Sequence, residues 1–229
     1  MDIKKYKSQD RLLVAVDCII FGFDGKQIKV LLIKRGFEPE KGKWSLMGGF
    51  VSKDENANAA AARVLKQLTG LTDIYMEQLY CFGEANRDSA GRVVSIAYSA
   101  FINIVEYSIQ LSNDHEARWF PINKIPPLIF DHKEMVKKAR QVLKEKVANH
   151  PIGFELLPPK FTLLQLQNLY EAIYEAPLDK RNFTKKILFI NVLQKLNEKE
   201  KKSSRKGSYY YVFDKVNYKK LQHRGIKFI

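Results

Sequence analysis

Residues 42–71 read GKWSLMGGFVSKDENANAAAARVLKQLTGL, and this segment carries the clearest structural pattern of the chain. Ser52 and Glu55 have the spacing of a capping box, in which a hydroxyl and a carboxylate satisfy backbone N–H groups at a helix start. The alanine-rich run that follows predicts a helix over Asn56–Leu68. Gly70 suits the end of that helix, because glycine adopts positive φ without a steric penalty. The segment therefore predicts a single helix with a defined start and end.

The segments on both sides predict several strands and a second helix. Residues 12–23 and 27–35 are rich in β-branched and aromatic residues, and the Asp24-Gly25 pair between them favours a tight turn, so they are predicted to form a β-hairpin. Later strands are predicted over 74–82, 93–105 and 117–120, and the second helix over 132–147. The N-terminal part therefore has a mixed α/β plan.

The spacing of residues within 49–71 resembles the signature of the Nudix domain. That signature runs Gly, five residues, Glu, seven residues, Arg-Glu, an aliphatic residue, one residue, Glu-Glu, one residue, Gly and an aliphatic residue. Six positions agree with it, after a Trp-Ser-Leu-Met-Gly-Gly approach typical of the family: Gly49, Glu55, Arg63, Leu65, Gly70 and Leu71. The resemblance implies an N-terminal α/β/α sandwich with a mixed sheet.

The three helix glutamates of the Nudix signature are missing from this sequence, which has Val64, Gln67 and Leu68 in their places. In the family those carboxylates hold Mg²⁺, a hard cation that prefers several oxygen ligands, neutralises a diphosphate and activates water. Valine and leucine offer no oxygen to a metal. We therefore expect no hydrolase activity, no catalytic residues, no bound metal and no cofactor.

A domain that has lost catalysis can still bind a ligand in the old substrate cleft. The candidates for effector binding are polar or aromatic residues near apolar ones: Asp17, Arg35, Lys43, Trp44 and Asp131. Carboxylates, a lysine and an aromatic ring suit a sugar, whereas a diphosphate without a metal needs more cations. Other roles stay open, with Asp17 as a solvent-facing strand residue, Trp44 as a core residue and Asp131 as a helix cap. We expect His132 to be an ordinary surface or helix-start residue.

The overall composition excludes several classes of protein. With 45% hydrophobic residues the chain is not disordered, and its two cysteines are too few for a disulfide framework or a four-cysteine zinc site. The sequence has no apolar run long enough to cross a bilayer, and its polar start lacks the apolar centre of a secretory signal. We expect a soluble, cytoplasmic protein with no membrane partner.

Positive charge is concentrated in the C-terminal third of the chain. The net charge is +14, and residues 148–229 contribute 16 Lys and Arg against 7 Asp and Glu. This imbalance favours a polyanionic partner for that part. Prolines at His150-Pro151 and Pro158-Pro159 favour a nearby boundary, so we expect domains over 1–150 and 151–229.

The C-terminal part predicts a winged helix-turn-helix. Residues 161–174 are predicted to form a helix with a capping box at Thr162 and Gln165, followed by a second helix over 179–193. A basic loop over 197–208 and a strand over 209–213 would form the wing. These elements predict DNA contacts from the second helix and the wing: Arg181, Asn182, Lys185, Lys186, Arg205 and Lys206.

The order of the two parts, α+β overall, resembles the Nudix-related transcriptional regulators of bacteria. The resemblance implies a homodimer whose winged helices bind a palindromic operator in double-stranded DNA and whose Nudix domains sense a metabolite. The missing carboxylates favour the branch similar to arabinose regulators, so we expect a repressor of sugar catabolism genes that L-arabinose releases from DNA. Three alternatives stay open: an ADP-ribose-responsive regulator of NAD metabolism, an active Nudix hydrolase with a basic tail, and an architectural DNA binder that senses no ligand.

Overall fold

Two sheets organise the computed structural model, which describes residues 7–104, 116–201 and 206–221. The central strand of the larger sheet runs parallel to one neighbour and antiparallel to two others, so that sheet is mixed. Its seven strands are β1 (Leu13–Phe23), β2 (Ile28–Lys34), β3 (Trp44–Ser45), β4 (Met47–Phe50), β5 (Glu77–Phe82), β6 (Val93–Asn103) and β7 (Ala117–Pro121). The smaller sheet contains β8 (Phe161–Thr162), β9 (Leu193–Glu200) and β10 (Ser208–Phe213).

The predicted hairpin is confirmed as β1 and β2, which pair in antiparallel register at Phe21 and Val30. The Asp24 side chain accepts hydrogen bonds from the backbone N–H groups of Lys26 and Gln27, both at 2.9 Å, and Gly25 has a φ of 93°. An aspartate that binds its own turn and a glycine at positive φ are the features that reverse the chain here.

Helix α1 (Ala57–Thr69) follows β4 as the segment 42–71 predicts. The predicted capping box is wrong, because the helix begins one residue after Asn56, whose side chain accepts from the Ala59 N–H at 2.9 Å. Glu55 instead binds the Ser52 N–H in the preceding turn. The helix ends at Gly70, which has a φ of 76° as expected.

Helices cover both faces of the larger sheet, which confirms the predicted α/β/α sandwich. On one face α1 buries Ala60, Ala61, Val64 and Leu65 against the sheet. On the other face α2 (His132–Asn149) buries Met135, Val136, Ala139 and Leu143. The same apolar cluster extends into the C-terminal part, so α2 contributes to the cores of both parts.

The C-terminal part has the predicted winged helix fold. A short 3₁₀ helix (Pro151–Leu156) leads into β8, α3 (Leu163–Tyr174), α4 (Lys180–Ile190), the β9–β10 hairpin and α5 (Lys215–Leu221). The capping box is confirmed, since the Gln165 N–H donates to the Thr162 hydroxyl at 3.2 Å and the Thr162 N–H donates to the Gln165 side chain at 2.7 Å. Among the described helices, none combines the length and the apolar character needed to span a bilayer.

Two predicted boundaries in the winged helix are wrong. Helix α4 ends at Ile190 and not at residue 193, because Asn191 adopts the left-handed conformation with a φ of 58° and stops it. Strand β9 then reaches Glu200, so Lys199 lies in a strand and not in the wing loop. The loop is consequently shorter than expected, and Arg205 lies outside the described residues.

Candidate functional site

A cleft opens beside β1 and β4 of the larger sheet, next to the first turn of α2. Polar side chains from five parts of the chain line it: Asp17 from β1, Arg35 after β2, Ser45 from β3, Arg87 and Asp88 from the loop between β5 and β6, and His132 from the start of α2. Of the predicted effector residues, Asp17 and Arg35 line this cleft.

Asp17 is a buried carboxylate and not a solvent-facing strand residue. The Ser95 hydroxyl donates to its Oδ2 at 2.6 Å, and the Arg87 guanidinium lies 3.6 Å from the same oxygen. Gly48, which pairs with Asp17 across β1 and β4, has no room for a side chain, because a Cβ there would lie 2.3 Å from Asp17 Oδ1. The close approach of β4 therefore holds this carboxylate in one position.

Arg87 is the buried cation of the cleft, and the sequence patterns do not single it out. Its side chain is only 3% exposed, and it donates to both oxygens of Asp131, at 2.9 and 2.7 Å. Burial alone would lower the pKa of Arg87, but the hydrogen bonds to Asp131 and the charge of Asp17 outweigh burial and raise it. Asp131 thus binds Arg87 and makes no hydrogen bond that caps α2.

His132 is the first residue of α2, as expected, but it is buried and not on the surface. Its Nδ1 accepts from the Leu46 N–H at 3.1 Å, which assigns the proton of the neutral ring to Nε2, 3.6 Å from Asp17 Oδ1. Burial lowers the pKa of His132, with Asp17 opposing that shift. The ring is therefore neutral near pH 7, and its Nε2 lies close to Asp17 without a hydrogen bond between them.

Arg35 and three phenylalanines form the outer part of the cleft. The Arg35 guanidinium lies 4.0 Å from the ring centre of Phe37 and 5.4 Å from that of Phe130. Phe37 and Phe50 both line the cleft and remain 55% and 48% exposed. Exposed aromatic faces beside a guanidinium offer a stacking surface next to a positive charge.

Lys43 and Trp44 do not lie among the residues that line the cleft. Lys43 forms an ion pair with Glu40 on the surface. Trp44 pairs in β3 and packs edge-on against Phe120, with ring centres 4.7 Å apart. Their role in effector binding stays a prediction, and it requires a ligand that reaches beyond the cleft.

In the part of the Nudix signature that this chain retains, Arg63 binds the remaining side chains that carry oxygen atoms. Arg63 donates to both oxygens of Glu55, at 3.0 and 2.6 Å, and to Gln67 at 3.2 Å. The hydrogen bonds from Arg63 and from the Ser52 backbone lower the pKa of Glu55 to about 2. Val64 is buried against Gly49, where a Cβ would lie 2.7 Å from Val64 Cγ2.

These residues do not fit a magnesium ion. The two remaining oxygen donors, Glu55 and Gln67, bind a guanidinium, and neither Val64 nor Leu68 can replace the lost carboxylates. The described parts of the chain also contain no group of three His, Cys, Asp or Glu side chains placed to hold a metal ion.

The outward face of α4 presents the predicted DNA-contact residues. Arg181, Asn182, Lys185 and Lys186 are exposed, whereas Phe183 and Ile187 are buried against α3 and the smaller sheet. The Asp179 side chain caps the helix by accepting from the Asn182 N–H at 2.7 Å. The helix is therefore anchored by one face and leaves its cationic face free to meet another molecule.

The β9–β10 hairpin carries further cations beside the predicted wing residue Lys206. Lys195 and Lys199 lie over the ring of Tyr209, with the ammonium nitrogens 3.6 and 4.5 Å from its centre. Residues 193–200 form a strand and not part of the wing loop, and a strand assignment would place Lys195 and Lys199 on one face opposite Tyr209.

Sequence comparisons match both parts of the chain. Residues 11–144 match the NUDIX domain family, and residues 153–213 match the family described as the NrtR DNA-binding winged helix domain. The ADPR responsive transcriptional repressor NtrR of Acinetobacter baylyi is 34% identical over 202 residues, which cover 86% of this chain and 81% of that protein.

Two structures of Shewanella oneidensis NrtR are similar to this chain. The complex with a 27mer DNA has a TM-score of 0.74 and 28% identity, covering 87% of this chain and 93% of that one. The NUDIX domain complexed with ADP ribose has a TM-score of 0.53 and 29% identity, covering 62% of this chain and 99% of that one.

The expectation of a sugar effector and an arabinose-regulator-like branch is wrong. The relative that shares both domains is named for its response to ADPR, and the similar NUDIX domain was crystallised with ADP ribose. Loss of the metal-binding glutamates bears on hydrolysis and does not determine which ligand binds. Guanidinium groups can meet a diphosphate without a metal.

Proposed function

The chain belongs to the family of Nudix-related transcriptional regulators, and on that premise we propose that it is an ADP-ribose-responsive repressor of genes of NAD metabolism. Residues 1–150 would sense the nucleotide, and residues 151–229 would bind a two-fold DNA operator as part of a homodimer. The observation that supports the proposal is the pairing of a cleft that holds two arginines with a helix that exposes the four residues predicted to contact DNA.

The cleft supplies chemistry that suits ADP-ribose. Arg35 and Arg87 can donate to the oxygens of a diphosphate, for which planar guanidinium groups are well shaped. Phe37 and Phe50 expose ring faces on which an adenine can stack. Asp17 has a carboxylate that can accept from ribose hydroxyls. Each part of the nucleotide therefore has a matching group among the lining residues.

The same cleft is unsuited to hydrolysis. Metal-assisted cleavage of a diphosphate needs carboxylates free to coordinate Mg²⁺, and Glu55 is bound on both oxygens by Arg63. We therefore propose that ADP-ribose binds and leaves intact, so that its concentration can serve as a signal.

Helix α2 provides the physical connection between the two parts. His132 in its first turn lines the cleft, Asp131 directly before the helix binds Arg87, and its last turns contact α3. The Tyr174 hydroxyl donates to the Lys144 carbonyl at 3.2 Å, and Arg140 pairs with Glu175. A diphosphate that draws Arg87 away from Asp131 would break the link between the β5–β6 loop and the start of this helix, and a resulting shift of α2 would be passed on to α3.

Isothermal titration with ADP-ribose and Mg²⁺ tests the sensing function, with the nucleotide recovered afterwards and analysed by chromatography. We expect one site per chain and intact ADP-ribose. Arg35→Ala should weaken binding about tenfold or more, because a charge-assisted hydrogen bond is worth about 1.5 to 3 kcal/mol. Lys53→Ala, at an exposed lysine before α1, should not change it. Absence of binding, or release of AMP that disappears in Glu55→Gln, would contradict the proposal.

A further inference from the structure

Two large apolar side chains lie exposed on α4, among its cations. Phe189 is 88% exposed, the highest value among the exposed large hydrophobic residues of the described chain, and the adjacent Leu188 is 42% exposed. Phe183 and Ile187 on the opposite face already anchor the helix, so neither exposed residue is needed for that purpose. Exposed apolar surface of this kind, next to a group of cations, indicates that this face of the helix binds another molecule.

Helical geometry places these residues on the same face as the predicted DNA contacts. At 100° per residue, Asn182, Lys185 and Phe189 fall within about 60° of one another, and Leu188 falls close to Arg181. The outward face of α4 thus combines an amide, two cations and two apolar groups over just more than two turns.

The charge of this face indicates a polyanion as the occupant. Lys180, Arg181, Lys185 and Lys186 are exposed on α4, and the nearby Asp179 is already used to cap the helix. Within the described residues none of these four cations pairs with a carboxylate. A second copy of α4 would bring equal charges together, whereas the major groove of DNA brings phosphates on both sides.

We propose that Phe189, with Leu188 beside it, reads thymine in the operator by contact with the 5-methyl group. The floor of the major groove is polar except for that methyl, which distinguishes thymine from cytosine and from uracil. A phenylalanine seated on it gains apolar burial that no other base provides. This inference rests on the proposed DNA-binding function and adds a base preference to it.

Deoxyuridine substitution isolates the methyl group experimentally. A preferred duplex is first selected from random DNA with the full chain, and each thymine of a half-site is then replaced by deoxyuridine. For the unmodified protein we expect at least one position at which the replacement weakens binding about fourfold, the value for one buried methyl-sized group. Phe189→Ala should bind the thymine duplex about as weakly as the unmodified protein binds the deoxyuridine duplex. The variant should also bind the thymine and deoxyuridine duplexes equally well.

Controls separate this inference from the proposed function and from folding. Leu164→Ala, at an exposed leucine of α3, should keep the thymine preference, and Phe189→Met should keep part of it. Selection of a duplex whose thymine preference survives Phe189→Ala overturns the inference and leaves DNA binding intact. A Phe189→Ala protein that loses self-association and keeps the thymine preference assigns the ring to a protein interface. Failure to select any duplex refutes the proposed function itself.

Discussion

The cleft and the outward face of α4 are both rich in charge, but only the cleft neutralises its own charges. Arg87 is buried between the carboxylates of Asp17 and Asp131, which hold it without any ligand. On α4 the cations are exposed and, in the described chain, lack carboxylate partners. In the cleft, a ligand must therefore rearrange ion pairs that already exist. On α4, the counter-charges have to come from another molecule.

The largest expected effect of this contrast is on salt dependence. If Arg181, Lys185 and Lys186 of both copies in a dimer each contact a phosphate, the log-log slope of operator binding against salt should be about −5, at about −0.9 per contact. Affinity should then fall roughly a thousandfold between 50 and 200 mM salt, measured by fluorescence anisotropy. The stability contributed by the buried Arg87 network should change little over the same range, since salt screens buried pairs weakly.

Removal of the buried cation should have the next largest effect. Arg87→Ala leaves Asp17 without a cationic neighbour in a buried position, so we expect the free energy of unfolding to fall by about 3 to 5 kcal/mol. Urea denaturation followed by circular dichroism measures this change. Arg118→Ala, which removes an exposed arginine paired with Glu116, should cost less than about 0.5 kcal/mol. Equal losses in the two variants would remove the contrast between the regions.

On α4 the corresponding substitution should spare stability and reduce DNA binding. Arg181→Ala should weaken operator binding by about 1 to 3 kcal/mol with an unchanged urea midpoint. If Arg181 reads a base, the loss is confined to one base pair. If it contacts a phosphate, the loss is uniform across sequences and the magnitude of the salt slope falls by about two, one contact for each copy in the dimer. A variant with wild-type affinity for the selected duplex would exclude α4 as the recognition helix.

The smallest expected effect concerns pH and His132. Because burial lowers the pKa of His132, the folded state resists protonation, and stability falls as pH drops below the ordinary value of 6.5. His132→Asn keeps an acceptor for the Leu46 N–H and removes the titration. Thermal unfolding at pH 7.5 and 5.5 should therefore show a smaller pH effect in this variant. An identical pH effect in both proteins would show that other groups cause it.

Local signals predicted much of the fold. The Asp24-Gly25 turn, the Thr162 and Gln165 capping box and Gly70 act through hydrogen bonds or backbone angles within a few residues, so the sequence shows them directly. The end of α4 was missed because Asn191 adopts positive φ, which helical periodicity does not reveal.

The cleft was harder to predict, because its contacts join distant parts of the chain. Asp17 in an apolar strand implies a cationic partner, but nothing in the sequence identifies Arg87, which lies 70 residues later. The residues next to His132 in the sequence predict a surface position, but its burial depends on the link between β3 and β4, where the Leu46 N–H donates to its ring. The prediction of a sugar effector is wrong for a different reason. The missing glutamates bear on catalysis, whereas the guanidinium groups that suit a diphosphate come together only in the folded chain.

The dissociation constant of the selected operator duplex, measured with and without saturating ADP-ribose, tests the link between the two regions most directly. Coupling of about 1 to 3 kcal/mol predicts that ADP-ribose weakens operator binding about 5- to 150-fold. Equal dissociation constants under the two conditions would contradict the account, because a ligand that does not change operator affinity cannot control repression through this protein.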